Sequence, residues 1–132
     1  VPNKKRVLCV DDSEDICKVV ELSFRASDIE AISTMSATEA LKLLDREKFD
    51  LYILDLVMPA ALDQALCEAI RERDQSTPIV IFSGKSDEAS RLSALSAGAN
   101  AYVVKPGFEE LTKLVRQILY GQGGISSVLL GD

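Results

Sequence analysis

The chain has 132 residues, 47% of them apolar and 27% charged, which is the composition of one globular domain long enough to bury roughly two-thirds of its extended surface. A formal charge of −6 argues against nucleic acid as a partner of this domain, because phosphate binding needs clustered Lys and Arg. The absence of histidine excludes an imidazole base, a His-bound metal and a His phosphoacceptor within the chain.

In chain order, the basic start Val1-Pro-Asn-Lys-Lys-Arg6 leads into Val7–Val10, an apolar stretch too short for a signal peptide. No later run approaches the ~18 apolar residues of a membrane span, so a cytoplasmic protein with no membrane association is expected. Val7–Val10 reads as a strand buried on both faces. Ile16, Val19, Val20 and Phe24 then form a helical stripe. Glu30–Met35 is more polar and reads as an edge strand. Ser36-Ala-Thr-Glu39 reads as a capping box, opening a helix that carries Ala40, Leu41 and Leu44. Leu51–Leu54 is a second buried run, followed by a helix with Leu62, Leu66, Ala69 and Ile70. Ile79–Phe82 is a third, followed by a shorter helix with Ala89, Leu92 and Leu95 that Gly98 stops. Ala101–Val104 is the fourth, and Leu111, Leu114, Val115, Ile118 and Leu119 complete the last helix.

Strand and helix alternate five times, which predicts a doubly wound α/β fold with a parallel sheet. Glycines cluster at Gly121, Gly123, Gly124 and Gly131, so the domain is expected over residues 1–120, with 121–132 a tail or the start of a linker. The odd cysteine count, Cys9, Cys17 and Cys67, with no CxxC pair, points to free buried thiols in a reducing compartment.

The residues that end the buried runs carry the chemistry. Asp11 and Asp12 follow Val10, Asp55 follows Leu54, Ser83 follows Phe82 and Lys105 follows Val104. An isolated Asp or Ser after a strand serves as a turn or cap, and Asp12 or Ser13 is placed to cap the first helix. Four successive runs ending this way is a different matter, because parallel strands deliver all five side chains to one sheet edge, where ligands bind in such folds. Three carboxylates and one ammonium leave excess negative charge. Oxygen ligands without His or Cys select a hard cation, so Mg²⁺ (or Mn²⁺) is expected and Zn²⁺ is not.

The motifs Val7-Leu-Cys-Val-Asp-Asp12, Asp55-Leu-Val-Met-Pro59, Ile79-Val-Ile-Phe-Ser-Gly84, Gly98-Ala-Asn-Ala-Tyr102 and Lys105-Pro106, over roughly residues 4–120, resemble the receiver domain of two-component response regulators, the family of the chemotaxis response regulator. The resemblance implies a flavodoxin-like (βα)5 fold with strand order 2-1-3-4-5. It implies that Asp55 takes a phosphoryl group from a histidine kinase, a phosphotransfer protein or a small phosphodonor. Asp12, Asp55 and the Val57 carbonyl would ligate Mg²⁺, and Asp11 would act through a metal-bound water. Lys105 would contact a phosphoryl oxygen, Ser83 would turn inward to bond it, Gly84 would keep that approach small, and Tyr102 would be the aromatic switch. Pro106 would follow a cis peptide bond. Residues 87–120 would present the output surface to a partner or output domain, with a homodimer left open. The chain would phosphorylate itself but run no metabolic reaction.

The sequence departs from the family at Ala60-Ala61-Leu62-Asp63, where a glycine is usual, so the loop is expected to take another path, with Asp63 capping the third helix. Gly107 after Lys105-Pro106 is expected to loosen that turn. An apolar Val57, which with Lys85 flanks the phosphoryl position, cannot orient water by hydrogen bonding, so slow self-dephosphorylation is expected. The alternative is a degenerate receiver working as a phosphorylation-independent interaction module. A flavodoxin-like cofactor binder fails on charge, since Asp11-Asp12 would repel a phosphate. An aspartyl-phosphate hydrolase would want an acid where Val57 stands.

Overall fold

The computed structural model describes residues 4–55 and 62–121, the side chains of residues 62–65 excepted. Ten elements alternate: β1 (Lys5–Val10), α1 (Glu14–Phe24), β2 (Ile29–Thr34), α2 (Ala37–Arg46), β3 (Leu51–Leu54), α3 (Leu62–Arg73), β4 (Ile79–Ser83), α4 (Glu88–Ser96), β5 (Ala101–Val104) and α5 (Phe108–Tyr120). The strands form one parallel sheet in the order β2-β1-β3-β4-β5. The polar strand β2 stands at an edge, as its composition predicts.

Alternating side chains build two cores. Leu8, Val10, Tyr52, Leu54, Ile79 and Ile81 face one side, against Ala40 of α2, Leu66 and Ile70 of α3 and Ala94 of α4. Val7, Cys9, Leu51, Ile53, Val80 and Phe82 face the other, against Val20 and Phe24 of α1 and Leu111 and Val115 of α5. Coverage on both faces is why these strands read as unbroken apolar runs. Cys9, Cys17 and Cys67 are free and buried. Among the described residues no helix is long and apolar enough to cross a membrane.

Several local expectations change in the folded chain. Val19 is 38% exposed and Leu92 51%. The buried faces of α1 and α4 run instead through Cys17, Val20 and Phe24, and through Ala94 with Ala97 just beyond the helix. In α4 the small Ala94 and Ala97 face inward while Leu92 turns outward. Only half of the capping box forms: Ser36 Oγ accepts from Glu39 N–H at 3.2 Å. The Ser36 N–H donates to Thr34 Oγ1 at 3.3 Å, and Glu39 pairs with Lys42. Ser13, not Asp12, caps α1, accepting from Ile16 N–H at 3.3 Å. Gly98 adopts φ 119°, and a Cβ there would lie 2.7 Å from Arg71 Cγ, so both conformation and space demand glycine.

Below the sheet, at its amino edge, Tyr52 is buried within β3 and donates its O–H to Asp74 Oδ2 at 3.0 Å. Burial opposes ionisation of Asp74. Bonds from Thr77 Oγ1, the Thr77 and Ser76 N–H groups and Tyr52 outweigh it and hold the carboxyl at about 2. The folded value lies below the unfolded one of about 3.9. The stabilisation from this carboxylate is therefore present above that unfolded value and lost as pH falls through about 2. Asp74→Asn is expected to lower stability at neutral pH, with the gap to the parent closing across that interval. Urea unfolding at stepped pH measures it, and a gap that persists at the acid end would refute the assignment.

Candidate acidic phosphoryl-transfer site

The site forms where the strand order reverses. β1 is followed in sequence by β2 on one flank, whereas β3 lies on its other flank, and the crevice at such a reversal opens beyond the carboxyl ends of the strands. Backbone hydrogen bonds extend the ladders one residue past the strands and so position the functional groups. Asp11 N–H donates to Thr34 O at 3.1 Å, Asp55 N–H to Val10 O at 2.9 Å and Lys105 N–H to Ser83 O at 2.7 Å.

Oxygen atoms of Asp11, Asp12 and Asp55 all lie within 4.8 Å of one another. Asp11 and Asp55 are buried, while Asp12 is exposed at the rim. Lys105 Nζ reaches between the two buried acids, 2.8 Å from Asp11 Oδ2 and 3.4 Å from Asp55 Oδ1, and also lies 5.8 Å from the centre of the Phe82 ring. Burial alone would lower the Lys105 pKa. The bond to Asp11 and the charges of Asp11 and Asp55 more than offset it and raise the ammonium above its ordinary value. One ammonium against three carboxylates leaves net negative charge in a partly desolvated crevice. The donor set is all oxygen, open on the Asp12 side, and fits a hard divalent cation.

Ser83 closes β4 and is wholly buried; its Oγ accepts from Lys85 N–H at 3.1 Å. Tyr102 is half-buried in β5, and its hydroxyl donates to Lys85 O at 2.8 Å rather than standing in water. The backbone of Lys85 thus joins the two side chains. The Lys105–Pro106 peptide bond is cis. The turn after it is hydrogen-bonded, Gly107 N–H to Val104 O at 3.0 Å and Phe108 N–H to Pro106 O at 2.6 Å, so the expected loosening at Gly107 is not seen. A Cβ at Gly107 would lie 2.9 Å from Val104 O, so the turn leaves little room for a side chain there. At Gly84 a Cβ would meet no protein atom within 4 Å.

Val57 and the Ala60-Ala61 stretch lie outside the described residues, as does the Asp63 side chain, so the carbonyl ligand, the altered loop and that cap are not part of this geometry. Sequence reasoning read Cys17 as a free buried thiol and missed its contact with the Asp11 carbonyl, because a backbone acceptor carries no residue-type signal. It also missed the Arg71 clamp below the sheet, treated in the Discussion.

The description "response regulator receiver domain" belongs to the family whose profile matches residues 7–116. The regulatory protein VanR of Enterococcus faecium is 32% identical over 111 residues, covering 84% of this chain and 47% of that protein. The response regulator ArlR of Staphylococcus aureus is 33% identical over 118 residues, 89% of this chain and 53% of that one. The chain therefore spans about half the length of the curated relatives it matches. Among solved structures, the response regulator TrrA of Thermotoga maritima in complex with Mg²⁺-BeF is 31% identical with a TM-score of 0.76, covering 86% of this chain and 97% of that one. The chemotaxis response regulator CheY4 of Vibrio cholerae is 26% identical with a TM-score of 0.80, covering 87% and 98%. With a flavodoxin-like sheet in the order 2-1-3-4-5 and a profile match over most of its length, the chain belongs to the receiver domains of two-component response regulators.

Proposed function

We propose that Asp55 is a phosphoacceptor and that this domain switches its α4-β5-α5 surface when Asp55 is phosphorylated. The observation that carries the reading is the convergence of Asp11, Asp12 and Asp55 around Lys105 at the carboxyl edge of the sheet. A carboxylate oxygen of Asp55 attacks phosphorus of a phosphohistidine or small phosphodonor, and the donor's bond to phosphorus breaks as the new one forms. Such transfer is governed by positioning and by stabilising charge on the equatorial oxygens. Asp11, Asp12 and Asp55 would hold Mg²⁺, together with the Val57 carbonyl that the family resemblance implies; when bound, Mg²⁺ supplies positive charge beside the incoming phosphoryl group. Lys105 moves from its carboxylate partners to a phosphoryl oxygen as a compact point charge.

Ser83 gives the reading its output step. A hydroxyl that accepts from Lys85 N–H can still donate its own hydrogen to a phosphoryl oxygen on Asp55. Drawing Ser83 inward displaces Lys85, whose carbonyl holds the Tyr102 hydroxyl. Phosphate then stabilises one arrangement of this chain of contacts over another, a population shift. Leu92 on α4 and Val104 on β5 are apolar and exposed on the same surface, which suits docking of an output domain or a separate partner. A sensor histidine kinase or phosphotransfer protein would supply the phosphoryl group in a cytoplasmic setting.

The test is intact-protein mass after incubation with acetyl phosphate, with and without Mg²⁺, for the parent and Asp55→Asn. One phosphoryl adduct that requires both Mg²⁺ and Asp55 is the expected result. No adduct with any of several small donors, or an adduct retained in Asp55→Asn, would overturn the reading.

A further inference from the structure

Lys105 brings the positive charge to the acidic site, and among the described residues its ammonium meets three groups. Two are carboxylates, Asp11 Oδ2 at 2.8 Å and Asp55 Oδ1 at 3.4 Å. The third is an aromatic ring: Nζ lies over Phe82, 5.8 Å from the ring centre. An ammonium within about 6 Å of an aromatic face is attracted by the negative charge of that face, most strongly where water is excluded. Phe82 is 0% exposed and the Lys105 side chain 19%, so both lie largely out of water.

The ring has its own supports. Phe82 is the penultimate residue of β4, in register with Val103 of β5, and belongs to the core layer packed against α1 and α5. Phe108, the first residue of α5, meets it edge to face, with centres 5.2 Å apart and planes at 66°, a favoured aromatic arrangement. The backbone that carries Lys105 is tied to the same strand, since Lys105 N–H donates to Ser83 O at 2.7 Å. The end of β4 therefore supplies both the ring that faces the ammonium and an anchor for the residue that bears it. A core position asks only for apolar volume, which leucine supplies; an aromatic face matters only where charge lies over it.

We propose that Phe82 is a positioning residue for phosphoryl transfer: the face of its ring holds the Lys105 ammonium beside Asp55 when the carboxylate oxygens are drawn away from it. A phosphoryl group on Asp55 engages one of those oxygens, and a divalent ion among the acids engages others. The ring competes for neither, because a phenyl group offers no oxygen to a metal and no N–H or O–H donor to a phosphate. Lys105 thus keeps one fixed partner throughout. Without it, a strongly hydrated ammonium on a flexible four-carbon stem turns out toward solvent. The consequence for transfer rests on the phosphoacceptor reading of Asp55, whereas the contact between ring and ammonium does not.

The test reads contact and transfer separately, on the full chain. By NMR without phosphodonor, the Lys105 ε-methylene protons are expected upfield of those of the other lysines, shifted by the ring current of Phe82. They are expected to return toward the others in Phe82→Leu. Uptake from acetyl phosphate with Mg²⁺ is expected to slow about fivefold in Phe82→Leu, near 1 kcal/mol. In a Lys105→Ala background the same substitution is expected to leave uptake unchanged, since two residues that act through one interaction are not additive. Fluorinated phenylalanines at position 82 nearly keep the size of the ring while drawing negative charge from its face, so they carry the test even if Phe82→Leu folds poorly. Uptake is expected to fall stepwise from one fluorine to three, at unchanged far-UV circular dichroism. Lys105 protons that stay in place in Phe82→Leu would overturn the contact. Equal uptake across the fluorine series would overturn the positioning role, as would a slowing as large in the Lys105→Ala background as in the parent. Parent protein that takes up no phosphoryl group from any small donor would overturn the phosphoacceptor reading instead, and the proton shift would still decide the contact.

Discussion

Lys105→Ala is expected to slow phosphoryl uptake by Asp55 about a hundredfold while tightening Mg²⁺ binding, two effects of opposite sense from one side chain. The slowing follows from removing a positioned cation from developing phosphoryl charge, a loss of about 10²–10³ in comparable sites. The tightening follows from competition: the ammonium lies 2.8 Å from Asp11 Oδ2 and 3.4 Å from Asp55 Oδ1, occupying oxygens a divalent ion needs. At an effective dielectric near 20, an ion pair at such distances is worth about 4 kcal/mol. Water and the remaining repulsion reduce the difference between the two states, and a gain of about tenfold in Mg²⁺ affinity is the expected net, near 1.4 kcal/mol. Calorimetric Mg²⁺ titration and the rate of adduct formation from acetyl phosphate measure the two effects. Unchanged uptake would show that Lys105 serves only to neutralise the carboxylates, and weaker Mg²⁺ binding would show that it organises the ligands.

The second large effect lies at the other end of the sheet. Arg71 on α3 donates from Nε to Gly98 O at 3.0 Å, from Nη1 to Asp74 O at 3.0 Å and Thr77 O at 2.8 Å, and from Nη2 to Asn100 Oδ1 at 2.9 Å. Asn100 Oδ1 also accepts from Ile79 N–H at 2.9 Å. One guanidinium therefore ties the end of α3, the turn into β4 and the turn into β5. Bonds to a charged donor are worth about 1.5–3 kcal/mol each. Water recovers part of that at half-buried carbonyls, so Arg71→Ala is expected to cost about 3 kcal/mol, among the larger single-residue losses. Arg71→Lys should recover less than half, because a point charge cannot span a fork of acceptors. Urea unfolding measures both, and phosphoryl uptake per folded molecule should stay at the parent level. A loss under about 1 kcal/mol would mean that water replaces the guanidinium at every acceptor.

The Arg71 clamp also marks where sequence reading stops. Its acceptors lie up to 29 residues away and three are backbone carbonyls, which carry no residue-type signal. One clue was available: Tyr52 in a fully apolar run needs a partner for its hydroxyl, and Asp74 is that partner. The helix faces were ambiguous for a related reason. Leu92 and Val19 satisfy a helical period as well as Ala94 and Cys17 do, and only the packing of each helix on the sheet selects which of them is buried. The choice of Thr34 over Glu39 as partner of the Ser36 N–H is likewise a competition between neighbours that spacing cannot rank.

What the sequence by itself determined is the fold and the chemistry at one edge of it. Buried parallel strands need apolar residues on both faces, so Val7–Val10, Leu51–Leu54, Ile79–Phe82 and Ala101–Val104 announce themselves, and one shared direction brings Asp11, Asp12, Asp55, Ser83 and Lys105 together. Only the tertiary structure decided how those groups pair: Lys105 between two buried carboxylates, Lys85 between Ser83 and Tyr102, Cys17 against the Asp11 carbonyl. Periodicity is a property of the chain and is written in residue types. Pairing across tens of residues depends on sub-ångström placement and on backbone groups that every residue shares, and it exists only once the sheet and its helices have closed.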